Sequence, residues 1–273
     1  MHKKIKTFTF TINIIKMKKI IIAFLLISLF ISCSKEEPIT TNLVTDGLVG
    51  YWSFDNNLLD GSGNELNGIN NGVTFDTGKD GNENSAISLN GNSQYVEIPN
   101  NDKINFEAND EYTISLWVSV PFNQSDVDEG ENDILSKWTN QDGGDNGYSI
   151  SMRLINQTNN NPKQRVYFGR WDSNACGNWT GTFDTTATNN DDVFRNYILR
   201  FKDSNMEMFV NSELVDEKQS EIVCETENNS PLYIGIRNPL NSSKKYSFEG
   251  KIDELRIYNK ALSEIEIEQL ANE

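Results

Sequence analysis

The stretch that decides the fold is EYTISLWVSV, residues 111–120. Tyr112, Ile114, Leu116, Val118 and Val120 alternate with Thr113, Ser115 and Ser119. Successive side chains on a strand point to opposite faces, so the pattern gives one apolar and one polar face. GYSISMRLI (147–155) repeats the device with Tyr148, Ile150, Met152 and Leu154, and RNYILRFK (195–202) with Tyr197, Leu199 and Phe201. Working outward, SAISLN, QYVEIP, DILSKW, RVYFGRW, NMEMFVNSELV, PLYIGIR and KIDELRIYN add further short runs between Asn/Gly/Asp-rich turns. Ten or more such runs without long helical periodicity predict an all-β antiparallel sandwich or barrel. One short helix is expected at the end. Ser263 can cap it, with Glu266 three residues later completing a capping box.

The N-terminus reads as targeting sequence. MKKIIIAFLLISLFISC begins at Met17 with two lysines and runs through apolar residues to Ser32-Cys33. A charged start and a short apolar run predict a signal peptide over residues 1–32, the run being too short for a comfortable membrane span. Residues 1–16 are open to being a start-site artefact. A small residue before Cys33 resembles a bacterial lipobox, with Phe30 where Leu is usual. Cys33 is therefore the expected lipidated residue, residues 33–45 a polar tether and 46–273 the folded domain. SKEEP behind Cys33 resembles an export tag that sends lipoproteins to the cell surface. The expected location is the outer membrane, reached through the lipid anchor alone.

The first 32 residues hold six of the 24 basic residues and no acid, leaving 18 basic against 40 acidic residues, a net charge of −22. Such a chain repels polyanions, which argues against nucleic acid as a partner. Two more cysteines, Cys176 and Cys224, lie in polar stretches. In an exported chain they are read as a disulfide, with two free thiols as the alternative.

GLVGYWSFDNNLLDGSGNELNGINNGVTF at residues 47–75 resembles the opening of laminin-G-like (concanavalin A-like) jelly-roll domains of bacterial surface proteins. SAISLNGNSQYVEIPN, YTISLWVSV, MEMFVNSELV, LYIGIR and FEGKIDELRIYNKALSEIEIEQL resemble that family's later strands and terminal helix, in order. The hairpin usually carrying Asn-Gly has Asn211-Ser212 here. The resemblance spans residues 46–272 and implies a two-sheet antiparallel jelly-roll sandwich with a short C-terminal helix. It implies no single function, because this fold serves lectins, enzymes and spacers alike.

Catalysis has little to work with. The only histidine is His2, inside the predicted leader. Ser-His-Asp, Cys-His and His-based zinc chemistry are thereby excluded from the folded part. Paired carboxylates remain, and Asp253-Glu254 in KIDELR draws notice. Related glucanases carry acids spaced E-x-D-x-x-E along one strand, whereas Lys251 and Arg256 occupy the outer positions here. Neighbouring residues also point to opposite strand faces unless a bulge intervenes. The parity of Ile252 against Leu255 and Ile257 demands either a bulge near Asp253 or partial cover on both faces. The chain is expected not to be an enzyme.

A structural Ca²⁺ is weighed against ordinary turn chemistry. Asp55, Asp60 and Asn64 lie in a Gly-rich loop. The resemblance places an Asp of the closing strand, Asp253, beside it, so these four are the expected ligands. For binding, YFGRWDSNACGNWTGTFD sets Trp171 and Trp179 among small polar residues, with Arg170 and Asp172 flanking the first. Trp138 is a further candidate. Aromatics in polar loops mark contact sites, the alternative being that each plugs the sandwich end. Trp52 and Trp117, in strand patterns, are read as core. The expected function is a non-catalytic surface lipoprotein recognising a carbohydrate or glycoprotein. A protein-binding adhesion or assembly module and a divergent glycoside hydrolase are the alternatives.

Overall fold

A computed structural model describes residues 44–107, 109–121, 131–141, 144–155, 163–171, 179–184, 192–220, 228–237, 239–240 and 246–273. Cys33, Asp172, Cys176 and Cys224 lie outside them. Residues Leu43–Glu273 form one compact unit. Its strands are β1 (Leu48–Trp52), β2 (Ile69–Asn71), β3 (Thr74–Asp76), β4 (Ala86–Asn90), β5 (Tyr95–Ile98), β6 (Tyr112–Ser119), β7 (Glu131–Gln141) and β8 (Gly144–Ile155). They continue as β9 (Lys163–Trp171), β10 (Trp179–Phe183), β11 (Arg195–Lys202), β12 (Asn205–Val210), β13 (Glu213–Gln219), β14 (Leu232–Ile234) and β15 (Glu249–Tyr258). Helix α1 spans Glu264–Ala271.

An eight-stranded sheet has the order β13-β12-β11-β6-β15-β4-β3, with β1 also pairing β15, and a seven-stranded sheet the order β10-β9-β8-β7-β14-β5-β2. Between them lies one core. Tyr112, Ile114, Leu116 and Val118 of β6 meet Tyr148, Val166 and Phe168 of the other sheet there. The alternation in EYTISLWVSV thus does what its pattern demanded, and the chain is the expected antiparallel jelly-roll sandwich.

A second, smaller cluster covers part of the outer face of the eight-stranded sheet. Ile267 and Leu270 of α1 and Leu262 before it pack on Ile198, Phe209 and Tyr258. The helix starts as expected: the Ser263 side chain accepts from Glu266 N, and the Glu266 carboxylate accepts from Ser263 N. The β12–β13 turn places Asn211 and Ser212 at φ 50° and 69°. Two successive positive φ values are what a tight hairpin with right-handed strand twist requires.

The parity conflict in β15 is resolved by a bulge. Asp253 pairs with Trp117 and Arg256 with Ser115, so two residues of β15 face one of β6. Glu254 sits in the bulge at φ 51°. Ile252, Leu255 and Ile257 all reach the core, because the extra residue changes the register between the first and the other two.

Candidate functional site

Four adjacent strands of the seven-stranded sheet bring the aromatic candidates into one line. Trp138 of β7 pairs with Gly147 of β8, Gly147 with Trp171 of β9, and Trp171 with Trp179 of β10. Directly paired residues share a sheet face. The neighbouring row, Lys137–Tyr148–Arg170–Thr180, shows which face this is. Tyr148 belongs to the core, so the tryptophan row lies on the outer face. The side chains of Trp171 and Trp179 are not among those described; their backbone register is.

The inner row holds the sandwich end together. Lys137 is buried, and its ammonium donates to Asn100 Oδ1 and to the carbonyls of Asn228 and Ser230 at 2.7–3.0 Å. Burial lowers its pKa to about 8. Tyr148 Oη donates to the Ile104 carbonyl. Arg170 corrects an expectation: it does not flank Trp171 at the surface. It is 1 % exposed and lies over the rings of Phe201 and Tyr112, with Nη2 donating to the Glu107 carbonyl. Residue parity explains this, since Arg170 and Trp171 are neighbours on one strand.

Trp138 needs correction as well. It is 8 % exposed, with the Arg237 guanidinium 5.5 Å from its ring. Arg237 is held by a bidentate pair to the buried Asp133 at 2.7 and 2.8 Å and lies 4.2 Å from the Tyr246 ring. Trp138 therefore packs under a cation instead of offering a free plate. A cavity of about 380 Å³ opens at the same end, between loop residues Asp102–Glu111 and Asn259–Lys260. That volume suits a small ligand.

The four expected calcium ligands are not assembled by the described residues. Both oxygens of Asp60 are taken by donors of its own loop and strand. Oδ1 accepts from Tyr51 N and Ser62 N, and Oδ2 from Ser62 Oγ and Leu66 N, all at 2.8–3.0 Å. Asn64 donates to the Val49 carbonyl, and Asp55 is exposed. Asp253 instead faces the loop at residues 77–85, accepting from Lys79 N at 2.9 Å. No group of three or more His, Cys, Asp or Glu side chains among the described residues is placed to hold a metal.

Asp253 and Glu254 occupy separate hydrogen-bonding niches around the bulge. Glu254 accepts from Tyr51 Oη at 3.0 Å and from Arg256 Nη2 at 2.6 Å. Burial raises the pKa of both acids, that of Asp253 to about 7. For Asp253 the Lys79 N–H opposes the rise and the Glu254 charge adds to it. Lys251 forms an ion pair with Asp76 on the same sheet face.

Sequence reasoning missed Trp117. It is not core: it pairs with Asp253 and with Asn196 on the outer face of the eight-stranded sheet and is half-buried. Its parity with Thr113, Ser115 and Ser119 was the available signal. An aromatic on the polar side of an alternating strand requires its own explanation. Trp52 is fully buried, as expected, its Nε1 donating to the Leu66 carbonyl.

The two-sheet architecture and this loop arrangement define a laminin-G-like sandwich, and the chain belongs to the concanavalin A-like lectin/glucanases superfamily, whose laminin-G profile matches residues 90–268. Among curated proteins it is similar to Paraclostridial mosquitocidal protein 1 of Paraclostridium bifermentans, 27 % identical over 220 residues, which cover 76 % of this chain and 16 % of that one. Among solved structures it resembles the binding domain of that protein, with a TM-score of 0.66 at 23 % identity. The match covers 84 % of this chain and 52 % of the binding domain. The ligand-binding domain of botulinum neurotoxin serotype D, in complex with N-acetylneuraminic acid, superposes with a TM-score of 0.61 at 15 % identity, over 84 % of this chain and 51 % of that one. The chain thus spans about half of these binding domains, and at such identities the structural likeness shows the fold. The two solved relatives are binding domains by description.

Proposed function

We propose that the chain is a non-catalytic, surface-anchored module that recognises carbohydrate, free or on a glycoprotein, through the outer face of its seven-stranded sheet. The observation that carries this reading is the direct pairing of Trp171 with Trp179 across β9 and β10. The pairing puts two tryptophans at directly opposed positions of adjacent strands, and tryptophan is the residue type most suited to stacking on sugar rings. Between them in sequence, outside the described residues, stand Asp172, Asn174 and Asn178, residue types that bind hydroxyl groups. The binding role of the toxin domains supports the same class of activity.

Anchoring through Cys33 belongs to this reading and rests on the sequence of the leader. The test of recognition is a glycan array probed with the chain and its Trp171→Ala/Trp179→Ala variant. Loss of signal in the variant is expected, and an unchanged array profile would remove the platform. Membrane fractionation of Cys33→Ala tests the anchor, which is abandoned if the variant remains membrane-bound.

A further inference from the structure

Glu273, one residue beyond the C-cap Asn272 of α1, is drawn onto the outer face of the eight-stranded sheet by two buried cations. Its Oε2 is paired with Arg256 Nη1 at 2.7 Å, and its main-chain oxygen accepts from Lys79 Nζ at 2.6 Å. The side chains of Arg256 and Lys79 are 3 % and 7 % exposed. Arg256 comes from β15 and Lys79 from the loop between β3 and β4. Each lies over an aromatic ring: the Arg256 guanidinium is 4.6 Å from the ring of Tyr51, and the Lys79 ammonium 5.2 Å from that of Trp117. Two cations, each backed by a ring, thus converge on one residue.

The other acids nearby are accounted for. Glu254 is held by Arg256 Nη2 and Tyr51 Oη. Asp80 pairs with Lys79 from an exposed position. Burial of Asp253 raises its pKa to about 7, so that it holds its proton far above the usual carboxylate range. Without Glu273, Arg256 Nη1 and Lys79 Nζ each lose an oxygen, and a buried cation short of a partner is costly. The space left is that of one carboxylate, between a guanidinium fork and an ammonium. Glu273 can leave without disturbing the sheets or α1, because the helix is already closed by Asn272 N donating to the Gln269 carbonyl. A chain with 40 acidic against 24 basic residues repels polyanions. The carboxylate that fits is therefore a single one. Tyr51 and Trp117 put ring surface beside it, which suits the C–H face of a sugar, and the Glu254 and Asp80 carboxylates are acceptors for hydroxyl groups.

We propose that the seat of Glu273 is a binding site for the carboxylate of an acidic sugar, and that Glu273 is its built-in competitor. The ligand carboxylate replaces Glu273 on Arg256 and Lys79. The proposal rests on the carbohydrate-binding reading and extends it to charged sugars on the opposite sheet, independently of Trp171 and Trp179. Internal competition lowers the apparent affinity by the fraction of time the seat is free. A uronate and a sialate offer the same carboxylate chemistry, and the experiment separates the two sources.

The full chain is titrated by NMR with methyl β-D-glucuronide, with the methyl α-glycoside of N-acetylneuraminic acid and, as the neutral control, with methyl β-D-glucoside. Glu273→Ala empties the seat. Lys79→Met in that background keeps an unbranched stem over Trp117 and removes one cation. At least one acidic glycoside is expected to bind Glu273→Ala about ten- to a hundredfold more tightly than the wild-type chain, as for a seat otherwise free about a tenth to a hundredth of the time. The glycoside that gains identifies the source, the glucoside should gain nothing, and Lys79→Met should abolish most of the gain. Acetate is the fragment that Glu273→Ala deletes. It should raise the melting temperature of Glu273→Ala and not that of the wild-type chain, against chloride at equal ionic strength. No gain in affinity and no acetate effect would overturn the seat. An acetate effect with neither acidic glycoside bound would overturn the sugar as its ligand. Adding Trp171→Ala/Trp179→Ala to Glu273→Ala should leave acidic-glycoside binding unchanged, and its loss would return that binding to the other sheet and overturn the site. A glycan array unaffected by Trp171→Ala/Trp179→Ala bears on the other face alone, so the two readings fail separately.

Discussion

Asp253 should make this protein less stable as pH rises through neutrality. Asp253 is 3 % exposed, and its carboxyl group accepts a hydrogen bond from Lys79 N at 2.9 Å. Burial and the Glu254 charge raise its pKa from 3.8 to about 7. A folded-state value above the unfolded one means that the folded chain holds the proton more tightly. The contribution is then complete below pH 4 and is lost as pH climbs to about 7. Each pKa unit corresponds to 1.36 kcal/mol, so the full swing is roughly 4 kcal/mol. Other carboxylates run the opposite way. Asp76, Glu264 and Glu266 have lowered pKa values, the first two mainly through hydrogen bonds and Glu266 through its Lys260 and Ser263 partners against a burial penalty. A difference between two proteins isolates Asp253. Asp253→Asn keeps an oxygen for Lys79 N and never ionises. Urea unfolding followed by tryptophan fluorescence should find the pair nearly equal at pH 3 and the variant more stable by roughly 4 kcal/mol at pH 8. A constant difference across that range would refute the assignment of a buried, proton-holding carboxyl group.

Other expectations follow from local geometry. Ser212→Gly should raise stability by about 0.5–1 kcal/mol in the same unfolding assay, because Ser212 sits at φ 69°, where only glycine escapes the side-chain penalty. A Cβ on Gly78 would stand 2.6 Å from Asp253 Oδ2 and closer still to Ser85 Oγ. Gly78→Ala should therefore destabilise by about 1–3 kcal/mol and reduce the pH dependence assigned to Asp253. Ser263→Ala removes the capping box of α1 and should cost about 1 kcal/mol, read as a lower urea midpoint. Chelator tests the calcium reading, and an unchanged melting temperature would remove it. A clear drop would support it.

Legibility followed the range of the interaction concerned. Period-two alternation exposed β6, β8 and β11, since the inner face of a strand is set by parity alone. The capping box at Ser263 was equally plain, because its partners lie three residues apart. Trp117 separates residue type from pattern: a tryptophan suggests core, but its parity with Thr113, Ser115 and Ser119 sets it on the outer face. Arg170 failed for a related reason. Adjacency to Trp171 in sequence means opposite faces on a strand, and its long apolar stem lets the guanidinium lie over Phe201 inside the sandwich. The acidic loop around Asp60 carried a composition that suits calcium and turns alike. Only the folded backbone showed that amides had taken the carboxylate.

By itself, then, the sequence determined the class of fold, the apolar face of each regular strand, the closing helix and the absence of histidine chemistry from the folded part. Each of these depends on residue type and near-neighbour spacing. Tertiary structure decided the rest. It fixed the bulge at Glu254, the pairing of Trp171 with Trp179, the burial of Trp138 under Arg237 and the placing of Trp117 beside Asp253. Those depend on register between strands far apart in the chain. A one-residue change in register moves a side chain to the other face of its sheet, and nothing local to either strand sets it.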